Sequence, residues 1–378
     1  MAKIFLAGDV VNIKNETGLV CSKKLSEIIK KADFSICNFE APIAGHGEPI
    51  PKCGPNLYQR PETLPGLKKQ GFDLILLANN HIMDYGRAGL EATINYANEV
   101  GLATIGAGDG SFSAYKPLIK EIDGIKIGIV NAGEAQFGVI DYFERNAKSG
   151  YAWINHSLVD KNVIRLKKEC DFVMVLSHAG LENYPIPQKE WRERYKHLCE
   201  LGADIVVGTH PHVAQGYEKY KNSIIFYSLG NFYFDYGPSS NASNSSYSLL
   251  LDFQKGKPIS FKPIYHSTEN GNVNIASKGT EVDLVKLCDM LGDDYVNLHD
   301  KMIMKAYENV RWNLVTSMSS FPTDGTITGT LRAFFSSMLG RRKKLNKGLI
   351  QLHYTRNETY YYVMRHASEL CEDNSNND

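Results

Sequence analysis

The sequence predicts an α/β fold that is followed by a module of helices. Short apolar runs bounded by turn residues recur over about the first 210 residues, and amphipathic patterns separate several of them. Strands buried on both faces give such continuous apolar runs, and their alternation with helices is typical of a largely parallel sheet. After about residue 280 the apolar spacing becomes helical throughout, which indicates a change of architecture.

The predicted strands of the α/β part, in chain order, are 4–7, 34–37, 74–77, 125–130, 172–176 and 205–207. Amphipathic patterns at 23–32, 86–100 and 188–201 predict helices between them. Three further β-rich stretches, at 223–229, 246–253 and 259–265, follow without a long helical pattern between them. Because antiparallel strands need only short connections, we expect these three stretches to form an antiparallel sheet.

The chain divides into three predicted parts. Residues 1–270 form the α/β domain, 280–370 a helical module, and 371–378 a disordered acidic tail. The predicted helices of the module are 281–291, 294–320, 327–340 and 345–370. An apolar stretch at 327–340 precedes the basic cluster 341–344, a combination that can lie on an anionic membrane surface. A packed helix followed by a solvated turn is the alternative that we prefer.

Composition excludes several classes of function. Lys and Arg together equal Asp and Glu, 42 of each, so the net charge of zero predicts no nucleic-acid partner. Seven cysteines without a CxxC pattern argue against a disulfide framework and indicate a reducing compartment. No apolar stretch is long enough for a transmembrane helix, and no signal-peptide pattern is visible. We therefore expect a cytoplasmic protein.

Metal-capable side chains follow five of the predicted strands. These residues are Asp9, Glu40, Asn80, His178, and the pair His210 and His212. Because the carboxyl ends of parallel strands meet at one edge of a sheet, we expect these side chains to converge. Carboxylate, amide and imidazole donors without a thiolate suit Mn²⁺, Fe²⁺ or Zn²⁺. Two divalent ions in such a site can activate water and stabilise charge on the attacked group, which predicts a hydrolase.

Two local patterns sharpen this hypothesis. His210 and His212 leave the same strand two residues apart, which directs both rings to one side, and Pro211 stiffens the turn between them. In the second pattern, His81 directly follows Asn80 and is three residues from Asp84. His81 can act as a general acid or donate a hydrogen bond to the reacting group, with Asp84 orienting its ring.

These blocks resemble the CapA family of capsule-biosynthesis proteins, which is linked with poly-γ-glutamate synthesis and related to calcineurin-like metallophosphoesterases. The matching positions are Gly8 and Asp9, 38–40, 77–81, 84–86, 177–182, 208–215, 227–232 and Asp235. The resemblance implies a four-layer α/β/β/α sandwich with a dinuclear site. It also implies metal roles for Asp9, Glu40, Asn80, His178, His210 and His212, with His81 beside them. The helical module lies outside this resemblance.

The chain departs from the family in two respects. Ala179 stands where the family often has Trp, which alters a pocket wall, and the membrane anchor that many members carry is not visible. The resemblance implies a phosphoester or polymer-related substrate and capsule-synthesis proteins as partners. A non-catalytic scaffold subunit and a metal-dependent amide or γ-glutamyl hydrolase stay open as alternatives. Complete ligands together with His81 favour catalysis over the scaffold.

Four further side chains are candidates around the centre. Lys52 and Arg60 follow Glu40 and either anchor a substrate anion or are solvated loop charges. Asn231 either lines the substrate pocket or is an ordinary turn residue. Glu182 either accepts a hydrogen bond from a metal-bound histidine or lies at the loop surface.

Overall fold

A computed structural model describes residues 1–143, 149–236, 245–269, 271–318, 326–338 and 346–375. The chain forms two compact units. The first unit comprises residues 1–50 and 56–292, and the second comprises residues 51–55 and 293–378. The predicted boundary near residue 270 therefore differs from the observed one, because a short helix, α7 (Leu284–Asp289), still belongs to the first unit.

The strands of the first unit build two large mixed sheets and one small sheet. The strands are β1 (Ala2–Val11), β2 (Phe34–Phe39), β3 (Leu74–Leu76), β4 (Ala103–Ile105), β5 (Ala107–Asp109), β6 (Leu118–Ile122), β7 (Ile125–Gly133), β8 (Val139–Ile140), β9 (Ser149–Ala152), β10 (Phe172–His178), β11 (Ile205–Thr209), β12 (Tyr217–Tyr220), β13 (Ser223–Phe226), β14 (Asn231–Phe234), β15 (Ser245–Phe253), β16 (Ser260–Glu269) and β17 (Asn272–Ile275). The first sheet has the order β17-β16-β15-β1-β2-β3-β4, with β14 also paired to β1. The second has the order β12-β13-β11-β10-β7-β6, and the small sheet the order β5-β9-β8.

Helices cover the outer face of each large sheet. The helices are α1 (Lys23–Ile29), α2 (Thr63–Gln70), α3 (Gly86–Glu99), α4 (Gly110–Ala114), α5 (Ser157–Glu169) and α6 (Lys189–Glu200), besides α7. Side-chain alternation along β1 shows the layering. Ile4 and Leu6 pack into the core between the two sheets, whereas Phe5 packs with Leu25 of α1 and Leu67 of α2.

The second sheet follows the same logic on its other face. Val163 and Leu166 of α5 and Trp191 of α6 are buried there, and Leu166 packs directly over Gly128 of β7. The result is a four-layer α/β/β/α sandwich, as predicted.

The prediction of one separate antiparallel sheet was wrong. β13 lies parallel to β11 in the second sheet, because the hairpin strand β12 makes the crossover that usually needs a helix. β15 instead extends the first sheet by pairing antiparallel with β1, and β16 pairs with β15. The apolar run at 223–229 therefore reflects a strand buried on both faces.

Gly8 permits the close approach of two backbone segments that position Asp9. A Cβ atom at Gly8 would lie 1.9 Å from the carbonyl oxygen of Gly230, so the two segments would have to separate. We expect Gly8→Ala to lower the free energy of unfolding by about 1–3 kcal/mol, the usual cost of overpacking. Urea unfolding measures it. Gly348→Ala is the matched control, because there a Cβ atom meets nothing closer than 3.5 Å, and a helical Ala should be neutral or stabilising. Equal effects at the two glycines would contradict this account.

The second unit is helical. It contains α8 (Tyr295–Met318), α9 (Ile327–Met338), α10 (Lys347–Arg356) and α11 (Glu358–Ser375), and α8 packs against both α10 and α11. The single helix predicted over 345–370 is broken at Asn357, whose side chain accepts a hydrogen bond from the backbone N–H of Tyr360 at 2.9 Å and starts a new helix.

The carboxyl-terminal end also differs from the prediction. The disordered tail predicted over 371–378 is wrong for residues 371–375, because α11 continues through Ser375, and residues 376–378 lie outside the described part of the chain. The basic cluster 341–344, on which peripheral membrane contact was predicted, lies outside it as well. Among the described residues, no helix has both the length and the apolar character that crossing a membrane requires.

Candidate metal centre

Six predicted ligands from both large sheets converge on one buried site. Glu40 directly follows β2, Asn80 lies in the loop after β3, and His178 is the last residue of β10. His210 and His212 come directly after β11. Asp9 lies within β1 rather than after it, at a point where the pairing register with both neighbouring strands shifts. Such irregularities turn a side chain out of the strand repeat, here toward the site.

The carboxylates and imidazoles face each other at distances slightly longer than hydrogen bonds. Asp9 lies 3.7 Å from the Nδ1 atoms of both His178 and His212. Glu40 Oε1 lies 3.6 Å from His178 Nε2 and 3.8 Å from His212 Nε2. Asn80 Oδ1 lies 3.1 Å from the same Nε2 atom of His178. Donor atoms around a shared cation are typically about 3–4 Å apart, since each lies roughly 2.0–2.2 Å from the ion.

Two of the donor groups share Glu40. One comprises Asp9, Glu40 and His212, and the other comprises Glu40, His178 and His210. A third group, Glu182 with His210 and His212, does not include Glu40. Within each group the donor atoms lie within 4.8 Å of one another. A carboxylate common to two groups is an arrangement that a pair of neighbouring cations can use.

The protonation states of this site suit a cation. Burial lowers the pKa of His178 well below its ordinary value and lowers the pKa of His210 to about 3, so both imidazoles are neutral near pH 7. Burial raises the pKa of Asp9, against the effect of His212 and of the Asn38 amide, which donates to Asp9 at 2.7 Å. The Nδ1 atom of His210 is buried without a hydrogen-bond partner among the described residues. A divalent cation would satisfy this lone pair and offset the buried carboxylates.

The backbone that carries the two histidines is strained. His210 has φ +97° and His212 has φ +60°, in the left-handed region that residues with a side chain seldom occupy. The N–H group of His210 donates to Asp9 Oδ2 at 3.1 Å, which helps to hold the turn. Strain of this kind persists where the surrounding structure over-determines it, and such positions cluster at functional sites.

His81 and Asp84 form the predicted pair. His81 Nδ1 donates to Asp84 Oδ2 at 2.6 Å, and this carboxylate also accepts the N–H of Leu57 at 2.6 Å. Asp84 is fully buried, whereas 12% of the His81 side chain is exposed. His81 is close enough to affect the pKa values of His178 and His210. The pair can therefore hold a proton at the edge of the centre, with the imidazole ring fixed from behind.

The other four predicted side chains are placed differently. Asn231 Oδ1 lies 2.9 Å from His212 Nδ1, so it can orient the His212 ring, and its contact with substrate stays a prediction. Glu182 Oε1 is 3.9 Å from His210 Nε2, and 41% of its side chain is exposed. Arg60 lies near Glu16 and Glu62, at 3.7 Å and 3.5 Å. Lys52 belongs to the second unit. Substrate binding by Lys52 and Arg60 stays a prediction.

Sequence reasoning missed three buried side chains of the centre. Glu134 directly follows β7; its Oε1 lies 3.6 Å from His210 Nε2, and its Oε2 accepts the N–H of Gly180 at 3.1 Å. Gln136 donates to Glu134 at 2.6 Å. Asn38 contacts both Asp9 and His178 Nδ1, the latter at 3.1 Å. The sequence signal for Glu134 was its position directly after a strand. The same signal identified the six predicted ligands.

Comparison with known proteins gives consistent matches over the first unit. Residues 6–236 match the family described as bacterial capsule synthesis protein PGA_cap. The chain is 33% identical to the capsule biosynthesis protein CapA of Bacillus anthracis, over 57% of this chain and 54% of that protein. It is 30% identical to the PGA biosynthesis protein CapA of Bacillus subtilis (strain 168), over 56% of this chain and 55% of that protein.

Solved structures resemble the chain more distantly. The crystal structure of a novel phosphatase from Mycoplasma pneumoniae aligns with a TM-score of 0.44 and 19% identity, over 79% of this chain and 98% of that one. The match to the two CapA proteins extends over only about half of their length.

Proposed function

Because the chain belongs to the PGA_cap family of bacterial capsule synthesis proteins, we propose that it is a metal-dependent hydrolase of the synthesis of a capsule or related cell-envelope polymer. Its substrate in this proposal is a phosphoester, and its centre uses two divalent ions. The observation that carries the proposal is the pair of donor groups that share Glu40. A single-ion site would need only one of these groups.

In this proposal each of the two donor groups that share Glu40 binds one ion. Asp9, Glu40 and His212 would hold one ion, and Glu40, Asn80, His178 and His210 the other. Bound Mn²⁺, Fe²⁺ or Zn²⁺ would supply Lewis-acid activation of water and neutralise charge on the attacked phosphoryl group. In this proposal Asn231 orients the ring of His212 at 2.9 Å, and Glu182, 3.9 Å from His210 Nε2, would come into hydrogen-bond reach only after a small shift.

The chain itself supplies the proton for the leaving group. Asp84 holds His81 Nδ1–H at 2.6 Å, and in this proposal Nε2 carries the proton that the departing oxygen needs. Asp84 is buried behind the His81 ring, where water does not solvate the carboxylate. This carboxylate would therefore stabilise the protonated imidazole and fix the orientation of the ring. Asp84 is anchored in turn by the Leu57 N–H group.

Metal removal gives the first test. We expect purified protein loaded with Mn²⁺ to hold about two ions per chain and to hydrolyse an aryl phosphoester, and chelation should lower its melting temperature by roughly 5–10 °C, since the ions bind only the folded chain. Metal analysis and thermal unfolding measure both effects. Asn80→Ala and His210→Ala should hold fewer ions and show smaller chelation shifts.

A panel of phosphomonoesters, phosphodiesters and γ-glutamyl amides then identifies the bond that is cleaved. Turnover of amides alone would favour the amide hydrolase. A fully metallated protein that cleaves none of these substrates would favour the scaffold, a role that fits the description of the relatives as capsule and PGA biosynthesis proteins.

A further inference from the structure

A second group of metal-capable side chains lies in the helical unit. His299 and Asp300 are adjacent residues of α8, and His366 lies on α11. One donor atom from each of the three lies within 4.8 Å of the other two. These three residues belong to the second unit, so they are not part of the metal centre described above.

The three side chains converge where the two helices pack against each other. His366 Nε2 lies 2.7 Å from Asp300 Oδ1, and His299 Nδ1 lies 3.5 Å from the same oxygen. The two imidazole rings are nearly perpendicular, with centroids 5.0 Å apart. Burial grades outward across the group, since His299 is almost fully buried while 31% of the Asp300 side chain is exposed. The two imidazoles and the carboxylate thus lie close together, with Asp300 the most exposed of the three.

We propose that His299, Asp300 and His366 bind one Zn²⁺ ion. Two imidazoles and one carboxylate are a donor set that zinc accepts in a tetrahedral site, with water in the fourth position. Donor atoms in such a site are about 3.3–3.5 Å apart, given bonds of roughly 2.0–2.2 Å. The spacing of His299 and Asp300 already has this value, and that of Asp300 and His366 needs to open by about 0.7 Å. A single carboxylate disfavours Ca²⁺ and Mg²⁺, which prefer several oxygen ligands.

The contacts of His299 and His366 with Asp300 differ in length. The contact between His366 and Asp300 is an ordinary hydrogen bond, but the distance from His299 to the same oxygen exceeds the usual range of about 2.7–3.2 Å. The zinc ion uses all three side chains at once. It joins α8 to α11 across 66 residues of sequence, so it stabilises a contact whose closure otherwise costs chain entropy.

Zinc titration of the full chain tests this proposal. The first centre is disabled by Asp9→Asn with His210→Ala, and zinc chloride is added while binding is followed by calorimetry. We expect about one ion to bind, and saturating zinc to raise the melting temperature by roughly 5–10 °C. His366→Gln in this background should abolish both effects, although glutamine retains an N–H group that can donate to Asp300.

Matched variants separate a zinc site from a purely structural contact. His299→Gln should also abolish binding, whereas His197→Gln, at an exposed position on α6, should leave it unchanged. Should the background protein not fold, the same three substitutions are made in the wild-type chain. There His366→Gln and His299→Gln should each lower the zinc content by about one ion and leave phosphoester turnover unchanged. Zinc binding that survives both glutamine substitutions, or no zinc beyond the first centre, would overturn the proposal.

Discussion

Replacement of Glu40 by glutamine is expected to remove both ions from the main centre and to lower phosphoester turnover by roughly three orders of magnitude. Glu40 belongs to both donor groups, so its loss weakens both positions together, whereas Asp9 or His178 contributes to one. A catalytic ion contributes several kcal/mol to transition-state stabilisation, and each 1.36 kcal/mol is a factor of ten in rate. Glutamine keeps the size of the side chain and removes its charge, so the fold should persist.

The measurement pairs metal analysis with turnover on the same samples. Glu182→Gln is the comparison, because Glu182 is partly exposed and its donor group, with His210 and His212, does not include Glu40, so we expect close to two ions and an activity reduced by at most about 10–100-fold. Far-UV circular dichroism checks the fold of both variants. If Glu40→Gln still held two ions, Glu40 could not be the carboxylate that the two positions share.

His81→Ala is expected to lower kcat by about 10²–10⁴-fold while the ion content stays near that of the wild type. The reason is that His81 lies beside the donor groups without belonging to either of them, so its loss removes a proton donor and no ligand. Steady-state kinetics with an aryl phosphoester that has a poor leaving group measures the effect. A substrate with a good leaving group should suffer less, because its oxygen needs no proton to depart.

Asp84→Asn should give an intermediate loss. Asp84 Oδ2 accepts hydrogen bonds from His81 and from the Leu57 N–H group. The neutral amide oxygen of asparagine would accept these two bonds more weakly. The matched control is Asp109→Asn, because Asp109 is an exposed carboxylate that contacts Arg87 and Ser149 and belongs to none of the donor groups. Full activity of His81→Ala on the phosphoester with the poor leaving group would show that another group or water supplies the proton.

The strand-end rule was the strongest part of the sequence reasoning, and its limits are physical. It predicted that Glu40, His178 and His210 lie together, because an apolar strand and the polar residue that ends it are close in sequence. It failed for Glu134 because β7 continues through Asn131, Ala132 and Gly133, three residues that do not extend an apolar run. Asn131 is buried nonetheless, since its side chain bonds to the Ala78 N–H and the Leu176 carbonyl group.

Other parts of the structure depend on partners distant in sequence. The role of Asn231 beside His212 could not be predicted, because parallel pairing of β14 with β1 brings residues 222 positions apart together. The assignment of β13 to the second sheet and of β15 and β16 to the first could not be predicted either. An apolar run shows that a strand is buried, but it does not show which sheet the strand joins. The break at Asn357 was readable in principle, as asparagine is a strong residue for starting a helix.

The span of sequence that closes the metal centre also dictates when it can form. The N–H group of His210 and the carboxylate of Asp9 are 201 residues apart in sequence. Asp9 therefore cannot make this contact until most of the first unit has been synthesised. At about 5–20 residues per second, this delay on the ribosome is roughly 10–40 s. Ions bound as proposed would therefore enter the centre only after its strands have been synthesised, unlike the zinc ion whose binding folds a zinc finger. Ion loading would then be a step of maturation that cellular metal supply can control.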